Sequence, residues 1–270
     1  EKATVPVKLG DAFVRIFADD RDLDKGLAGA RQKTQSASQV MQGVFQGVGQ
    51  AIFNTVKSGI SAAVDEIGKA VQKSSDLSET VNKVGVLFGQ NAKAVLDFAD
   101  TADTALGQSK QSALDAAATF ATFGRAAGLS GESLVKFSTD FVGLASDLAS
   151  FNNTSPEEAI TAIGAALRGE SEPLRRYGVL LDDATLRQKA LQLGIVATTD
   201  QALTPQQRVL AAQVAIYEQT AAAQGDFART STGLANAQRI LAAEIENGSA
   251  KLGDAFRPAV ESITNILVGL

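Results

Sequence analysis

One Ser-x-x-Lys step, Ser133-Leu134-Val135-Lys136, comes closest in this chain to a nucleophile motif. On a helix it sets a lysine amine one turn from a serine hydroxyl, where the amine could accept the hydroxyl proton. Random placement of 19 Ser and 13 Lys in 270 residues yields about one such step, and one is found. The Ser-Asp-Asn and Lys-Thr-Gly sequences that accompany it in acyl-serine enzymes are missing. Carboxylates stand in pairs at Asp19/Asp20, Glu157/Glu158, Asp182/Asp183 and Glu244/Glu246. Such a pair divides acid and base roles only when folding brings it beside a cleft, and neighbouring positions on a helix diverge. Helix caps and turns account for most of these pairs.

Other chemistry is excluded by composition. With no His and no Cys there is no Ser-His-Asp triad, no Cys-His pair, no Cys/His zinc site and no disulfide. No Gly-x-Gly-x-x-Gly or Walker loop follows a strand. The expected catalytic, cofactor and metal residues are therefore none. Net charge is −5, spread too thinly to form a basic field that grips phosphates, so no specific nucleic-acid binding is expected. The chain opens EKATVPVKLG with neither Met nor an apolar leader, which suggests an excised piece of a longer protein. Between Lys33 and Lys57 no residue is charged, but Gln35, Gln39, Gln42, Gln46, Gln50 and Asn54 interrupt the run; a membrane span is not expected.

The elements that must hold these residues are read from periodicity. The 46 Ala and 24 Gly of the chain favour closely packed helices, and a mainly α fold of long amphipathic helices with a multi-helix bundle is expected. Val5, Val7 and Leu9 before Gly10-Asp11 allow a short N-terminal β element, or one strand leading into a helix. Val40, Val44, Val48, Ile52, Val56, Ile60, Val64, Ile67 and Val71 then recur mostly at spacings of four, an apolar stripe of one or more long helices. Gly43 and Gly47 on that stripe mark close helix packing or a kink.

Leu77, Val81, Val84, Phe88, Val95 and Phe98 trace a further helical face that Gly107 interrupts. The cleanest pattern is Leu134, Phe137, Phe141, Leu144, Leu148 and Phe151, spaced by three or four, which predicts a helix packed on others in a local bundle. Two helix starts are legible. Ser155-Pro156-Glu157-Glu158 and Thr204-Pro205-Gln206-Gln207 each combine an N-cap hydroxyl, Pro at the first helical position, and Glu158 or Gln207 placed to close a capping box. Helices are expected over 156–168 and 205–224, with turns and short helical pieces between. Arg168, Glu170, Glu172, Arg175 and Arg176 form a mixed-charge bend that pins helices or meets an acidic partner, with Tyr177 as its anchor.

The last block places Leu234, Leu241, Ile245, Leu252, Phe256, Val260, Ile263 and Leu267 at helical spacings, with a kink or break expected near Pro258. Three regions follow: 1–75, a short β element and long helix; 76–225, a multi-helix region; and 226–270, a terminal amphipathic helix.

Three stretches carry a resemblance: DFADTADTALGQSKQSALDAAATFATFGRAAGLSGE (97–132), DLASFNNTSPEEAITAIGAALRGESEPLRRYGVLL (147–181) and the run from ALQLGI to KLGDAFRPAVESI (190–263). They resemble tailed-bacteriophage tape measure proteins, a resemblance that covers roughly 76–263. The resemblance implies a mostly helical structural ruler and scaffold that sets tail tube length during virion assembly and leaves the tube for genome delivery. It implies the tail tube protein, tail assembly chaperones and tail tip or baseplate proteins as partners, and parallel copies of the chain in the virion. The place implied is the tail lumen or tip, and the host cytoplasm during assembly. Membrane contact is expected only during delivery. A soluble helical module that recruits chaperone or baseplate proteins is the competing reading, and a membrane-active segment centred on 34–71 is the third.

Overall fold

Leu77, Val81, Val84 and Phe88 meet on one side of helix α1, residues 66–88, because three- and four-residue steps return to the same face of an α-helix. The computed structural model describes the backbone of residues 66–268 and the side chains of 66–258. The expected N-terminal β element, the stripe through Val44, Val48, Ile52 and Val56, and the pair Asp19/Asp20 lie outside the described residues. Of the described residues 79% are helical and none is in a strand, so the fold is mainly α.

A 3-10 turn, Gly89–Asn91, leads from α1 to α2, Ala92–Ala99, and then α3, Ala102–Leu106. Gly107 closes α3 with φ +63°, and a Cβ there would come within 2.8 Å of the Phe227 ring. Both the backbone conformation and the close approach demand glycine. Helix α4, Lys110–Ala126, starts on Ser109, whose side chain accepts from Ser112 N. It pairs with α5, Gly131–Asn152, across a short connection, and α6, Pro156–Arg168, follows after Asn153 in the left-handed conformation. The bend is a 3-10 segment, Glu172–Tyr177. Helices α7, Asp183–Gln192, and α8, Pro205–Gln219, pack on each other, and α8 also meets α4 and α6. A short α9, Asp226–Thr230, lies on α5 and α3, and α10, Leu234–Val268, runs against α3 and α4.

The core sits between α4, α5, α6 and α8. Phe120, Phe137 and Phe141 are fully buried. Phe137 and Phe141 meet edge to face at 4.9 Å, and Phe141 also touches Phe120 and Tyr217 at 5.3 and 5.4 Å between ring centroids. Burying a Phe side chain contributes about 1.5–3 kcal/mol. Ala113, Ala116, Ala117 and Ala121 line α4, and small residues there let α5 lie close. At Gly124 a Cβ would fall 2.7 Å from Leu134.

Several boundaries differ from expectation. The division expected at 75/76 falls inside the continuous helix 66–88, while contacts divide the chain between Asp65 and Glu66. The division expected at 225/226 falls at Gly225, just before α9, whose Phe227 is buried. Helix α8 ends at Gln219 rather than 224, where the Thr220 hydroxyl donates back to the Ile216 carbonyl at 2.7 Å. The terminal block is two helices, parted at 231–233. No break occurs at Pro258: α10 runs through it to Val268. Proline removes a single N–H from the ladder, and the turns on either side keep the helix continuous.

Candidate functional site

The two proline-bearing caps form as local chemistry dictates, with one difference. Thr204 Oγ1 accepts from Gln207 N at 3.2 Å, and Gln207 Oε1 accepts from Thr204 N at 2.9 Å, a closed capping box with Pro205 at its first turn. Gln207 Nε2 also donates to the Ile195 carbonyl at 3.0 Å, tying α8 to the preceding loop. At the other start Ser155 Oγ accepts from Glu158 N at 3.2 Å and Pro156 opens α6. The Glu158 carboxylate does not return to Ser155 N. Instead it accepts from Arg176 at 2.6 Å, because a charged guanidinium 18 residues on offers a stronger bond than a neutral amide.

That pair is part of the mixed-charge bend. Arg175 pairs with Glu172 at 2.9 Å and Arg168 with Glu170 at 3.3 Å, all partly exposed. Tyr177 is buried, its hydroxyl shares a hydrogen bond with Thr154 at 3.1 Å, and Arg176 stands 5.4 Å from its ring centroid. The bend pins α6 to its own N-terminal turn.

The Ser-x-x-Lys step is not assembled as a pair. Ser133 Oγ donates to the Ser130 carbonyl at 2.7 Å, and Lys136 pairs with Asp140 at 2.7 Å. Asp182 caps α7 by accepting from Thr185 N, which holds its carboxyl below the usual range. Asp183 is held low by Arg208 first, then by Arg187. No group of three or more His, Cys, Asp or Glu able to hold a metal occurs among the described residues.

The stripe on α5 divides in two. Leu134, Phe137, Phe141, Leu144 and Leu148 are buried, as expected of packing residues, but Phe151 is 54% exposed. Gln108, just before α4, already reaches Val142 and Ser146 on α5. The last turn of α5 therefore runs past the start of α4, which leaves Phe151 uncovered while Ser150 beside it meets α9.

Helix α10 inverts the expected pattern. Leu234, Leu241 and Ile245, expected as packing residues, are exposed, as are Leu252 and Phe256, from 76% at Leu234 to 41% at Phe256. The face toward the bundle carries mostly small and polar residues, with half-buried Ile240 at its edge. Asn236 is buried and donates to Ser150 Oγ and Thr230 Oγ1, both at 2.9 Å. Arg239 donates to the Thr154 carbonyl at 2.8 Å. Asn247 accepts from Lys110 N at 2.8 Å and donates to Asp103 at 3.0 Å, completing the N-terminus of α4. Ala243, Ala250 and Gly253 are buried between them. At Gly253 a Cβ would stand 1.9 Å from the Ala70 carbonyl oxygen, so α1 and α10 cross in direct backbone contact. Ser74 donates to Asp254 across the crossing and accepts from Arg257, both at 2.5 Å. Directional bonds and backbone contact thus hold α10 by the face opposite its five exposed large apolar side chains.

A second polar joint holds α9. The Asp147 carboxylate accepts from Gly225 N at 2.7 Å and Phe227 N at 3.1 Å. Burial pushes its pKa up, against the lowering effect of those two N–H groups. Tyr217 lies on the same side of the core with a buried hydroxyl that has no partner, and burial, then the charges of Asp140 and Asp147, pushes its pKa far up. None of Asp147, Asn236, Arg239, Asn247 or Gly253 stands out by motif. The one available signal is that Asn236 and Asn247 stand 11 residues apart, three helical turns, on a helix otherwise rich in Ala.

Surface grooves are open rather than enclosed. One of about 620 Å³ runs between α6, α7 and α8, floored by Phe123, Leu167, Leu186 and Val209 and edged by Arg168 and Arg208. No helix among the described residues is long and apolar enough to cross a membrane. Compared with protein-family models, curated proteins and solved structures, the chain matches none.

Proposed function

We propose that this chain is a structural piece of a tailed-phage tape measure protein, acting in assembly as ruler and scaffold and leaving the tail at genome delivery. The observation that carries the reading is α10. A 35-residue helix reaches about 50 Å at 1.5 Å per residue, and it exposes Leu234, Leu241, Ile245, Leu252 and Phe256 while the bundle holds its polar side. An element built that way suits a protein that joins others along its length. The resemblance of 97–132, 147–181 and 190–263 to tape measure sequences supports the same reading. The partners proposed with it are the tail tube protein, the tail assembly chaperones and the tip or baseplate proteins, with parallel copies inside the tube.

The bundle favours a second reading. Residues 66–268 fold together as one multi-helix unit in place of a straight rod, which suits a module that recruits a chaperone or baseplate protein. An in-frame deletion of 238–259 in the parent protein separates the two. As a ruler it shortens the tail by about 33 Å, 1.5 Å for each of 22 residues. Tails of unchanged length with failed assembly would favour the recruiting module.

A further inference from the structure

The exposed stripe of α10 has a stricter period than amphipathicity requires. Leu234, Leu241, Ile245, Leu252 and Phe256 are separated by 7, 4, 7 and 4 residues, and the sequence continues with Ile263 and Leu267 at 7 and 4. At about 100° per residue the five exposed side chains fall within an arc of roughly 60°. An 11-residue repeat, near 3.67 residues per turn, produces a seam that winds with a right-handed supercoil around a partner of the same period. Alternating with these positions on the stripe are Ala237, Gly248 and Ala259, again 11 apart. The face opposite is occupied, since Asn236, Ala243, Asn247, Ala250 and Gly253 meet the bundle.

We infer that the outer face of α10 is the contact between two copies of the free chain, with the two helices antiparallel. Three observations select this occupant. The repeat must be matched by an equal repeat, and a second α10 supplies one. Reversing one helix sets large against small on either side of the centre, where Phe256 faces Ala237 and Ile245 faces Gly248, while Leu241 faces Leu252. Side chains of complementary volume keep the helix axes evenly spaced, where an in-register parallel pair would stack Gly248 on Gly248 and Phe256 on Phe256. The same register brings Glu244, exposed beside the stripe, near Lys251 of the other copy, its only exposed charges of opposite sign on that flank.

The area is sufficient. Five side chains at these exposures present on the order of 500 Å² of apolar surface per copy, the upper end of what a monomer leaves in one patch. Two copies together bury about 1,000 Å², the threshold of a specific interface, before the exposed Ala237, Ala242 and Ala255 are added. The pair describes the free chain and does not rest on the tail reading; parallel copies in a tail would replace it.

The chain has no Cys, so cross-linking reads the geometry directly. Sedimentation of the full chain should give twice the mass of one chain. Leu241→Glu with Leu252→Glu should return it to a single chain with unchanged helical circular dichroism, since both side chains are more than half exposed. Under mild oxidation Leu241→Cys/Leu252→Cys should form a linked dimer while Leu241→Cys alone stays unlinked, because position 241 meets 252. Cross-linking by Leu241→Cys alone as readily as by the double variant would make the pair parallel and overturn the proposal. A wild-type chain that sediments as a monomer, or a doubly Glu-substituted chain that stays associated, would overturn the interface itself.

Discussion

Helices α5 and α10 carry similar apolar inventories and use them in opposite directions. On α5, Leu134, Phe137, Phe141, Leu144 and Leu148 point into the core against α4, α6 and α8. On α10 the large side chains point out, and Asn236, Asn247, Ala243 and Gly253 face in. The difference separates two ways of fixing a helix. Helix α5 is held by area removed from water, which is non-directional and scales with side-chain size. Helix α10 is held by directional bonds and by a backbone crossing that only a residue without a side chain permits. Such a joint specifies place and leaves the apolar face free for another molecule.

The comparison breaks most sharply at Phe141. Phe141→Ala leaves a cavity among Phe120, Phe137 and Tyr217, and chemical denaturation should show a loss of about 3–5 kcal/mol. Leu241→Ala on α10 should change the stability of the single chain by less than about 0.5 kcal/mol. Comparable losses at both sites would erase the distinction.

Gly253→Ala comes next. The added methyl meets the Ala70 carbonyl at a distance no contact tolerates, so α1 and α10 must part, at a cost of about 1–3 kcal/mol. Hydrogen exchange should show residues 66–80 losing protection while α5 keeps it. Retained protection along α1 would mean that the crossing does not hold the two helices together.

Asp147 sharpens the polar side of the comparison. Asp147→Ala removes the acceptor for Gly225 N and Phe227 N and should cost about 1 kcal/mol, as loss of a cap does. The pH dependence has a definite sign. Its carboxyl is pushed up by burial, so folding disfavours its charge, and the wild type should gain stability relative to Asp147→Asn as pH falls through the raised value toward the ordinary range near ~3.9. Asp182 and Asp183, both held low, act oppositely: their contribution is present above the ordinary range and lost as pH falls through the lowered values. Thermal melts from pH 7 to 3 on the two chains isolate the Asp147 component.

The smallest effect belongs to the bend. The Arg176–Glu158 pair is half exposed, and a double-mutant cycle with Arg176→Ala and Glu158→Ala should give a coupling below about 1 kcal/mol that shrinks in salt.

What could be read from the sequence follows from how far each interaction reaches along the chain. The caps at Ser155 and Thr204 are three-residue chemistry and form at the expected positions, as does the buried part of the α5 stripe. Glu158 departs because its partner, Arg176, lies 18 residues away, and Phe151 departs because where α4 begins decides whether it is covered. Periodicity marked Leu234, Leu241 and Ile245 as one face but carries no information on whether that face meets the bundle. The residues that settle it, Gly253 with Ala70 and Asn247 with Lys110, are separated by more than 100 positions, beyond the reach of any local pattern.

The outer face of α10 is an unfilled contact surface on this reading, while the core side of α5 is complete within one chain. Hydrogen exchange of the full chain across a range of protein concentration measures both helices in one sample. Protection along α5 should stay constant, and protection along Leu234–Phe256 should rise with concentration as the stripe is covered. Protection on α10 that is independent of concentration would contradict it.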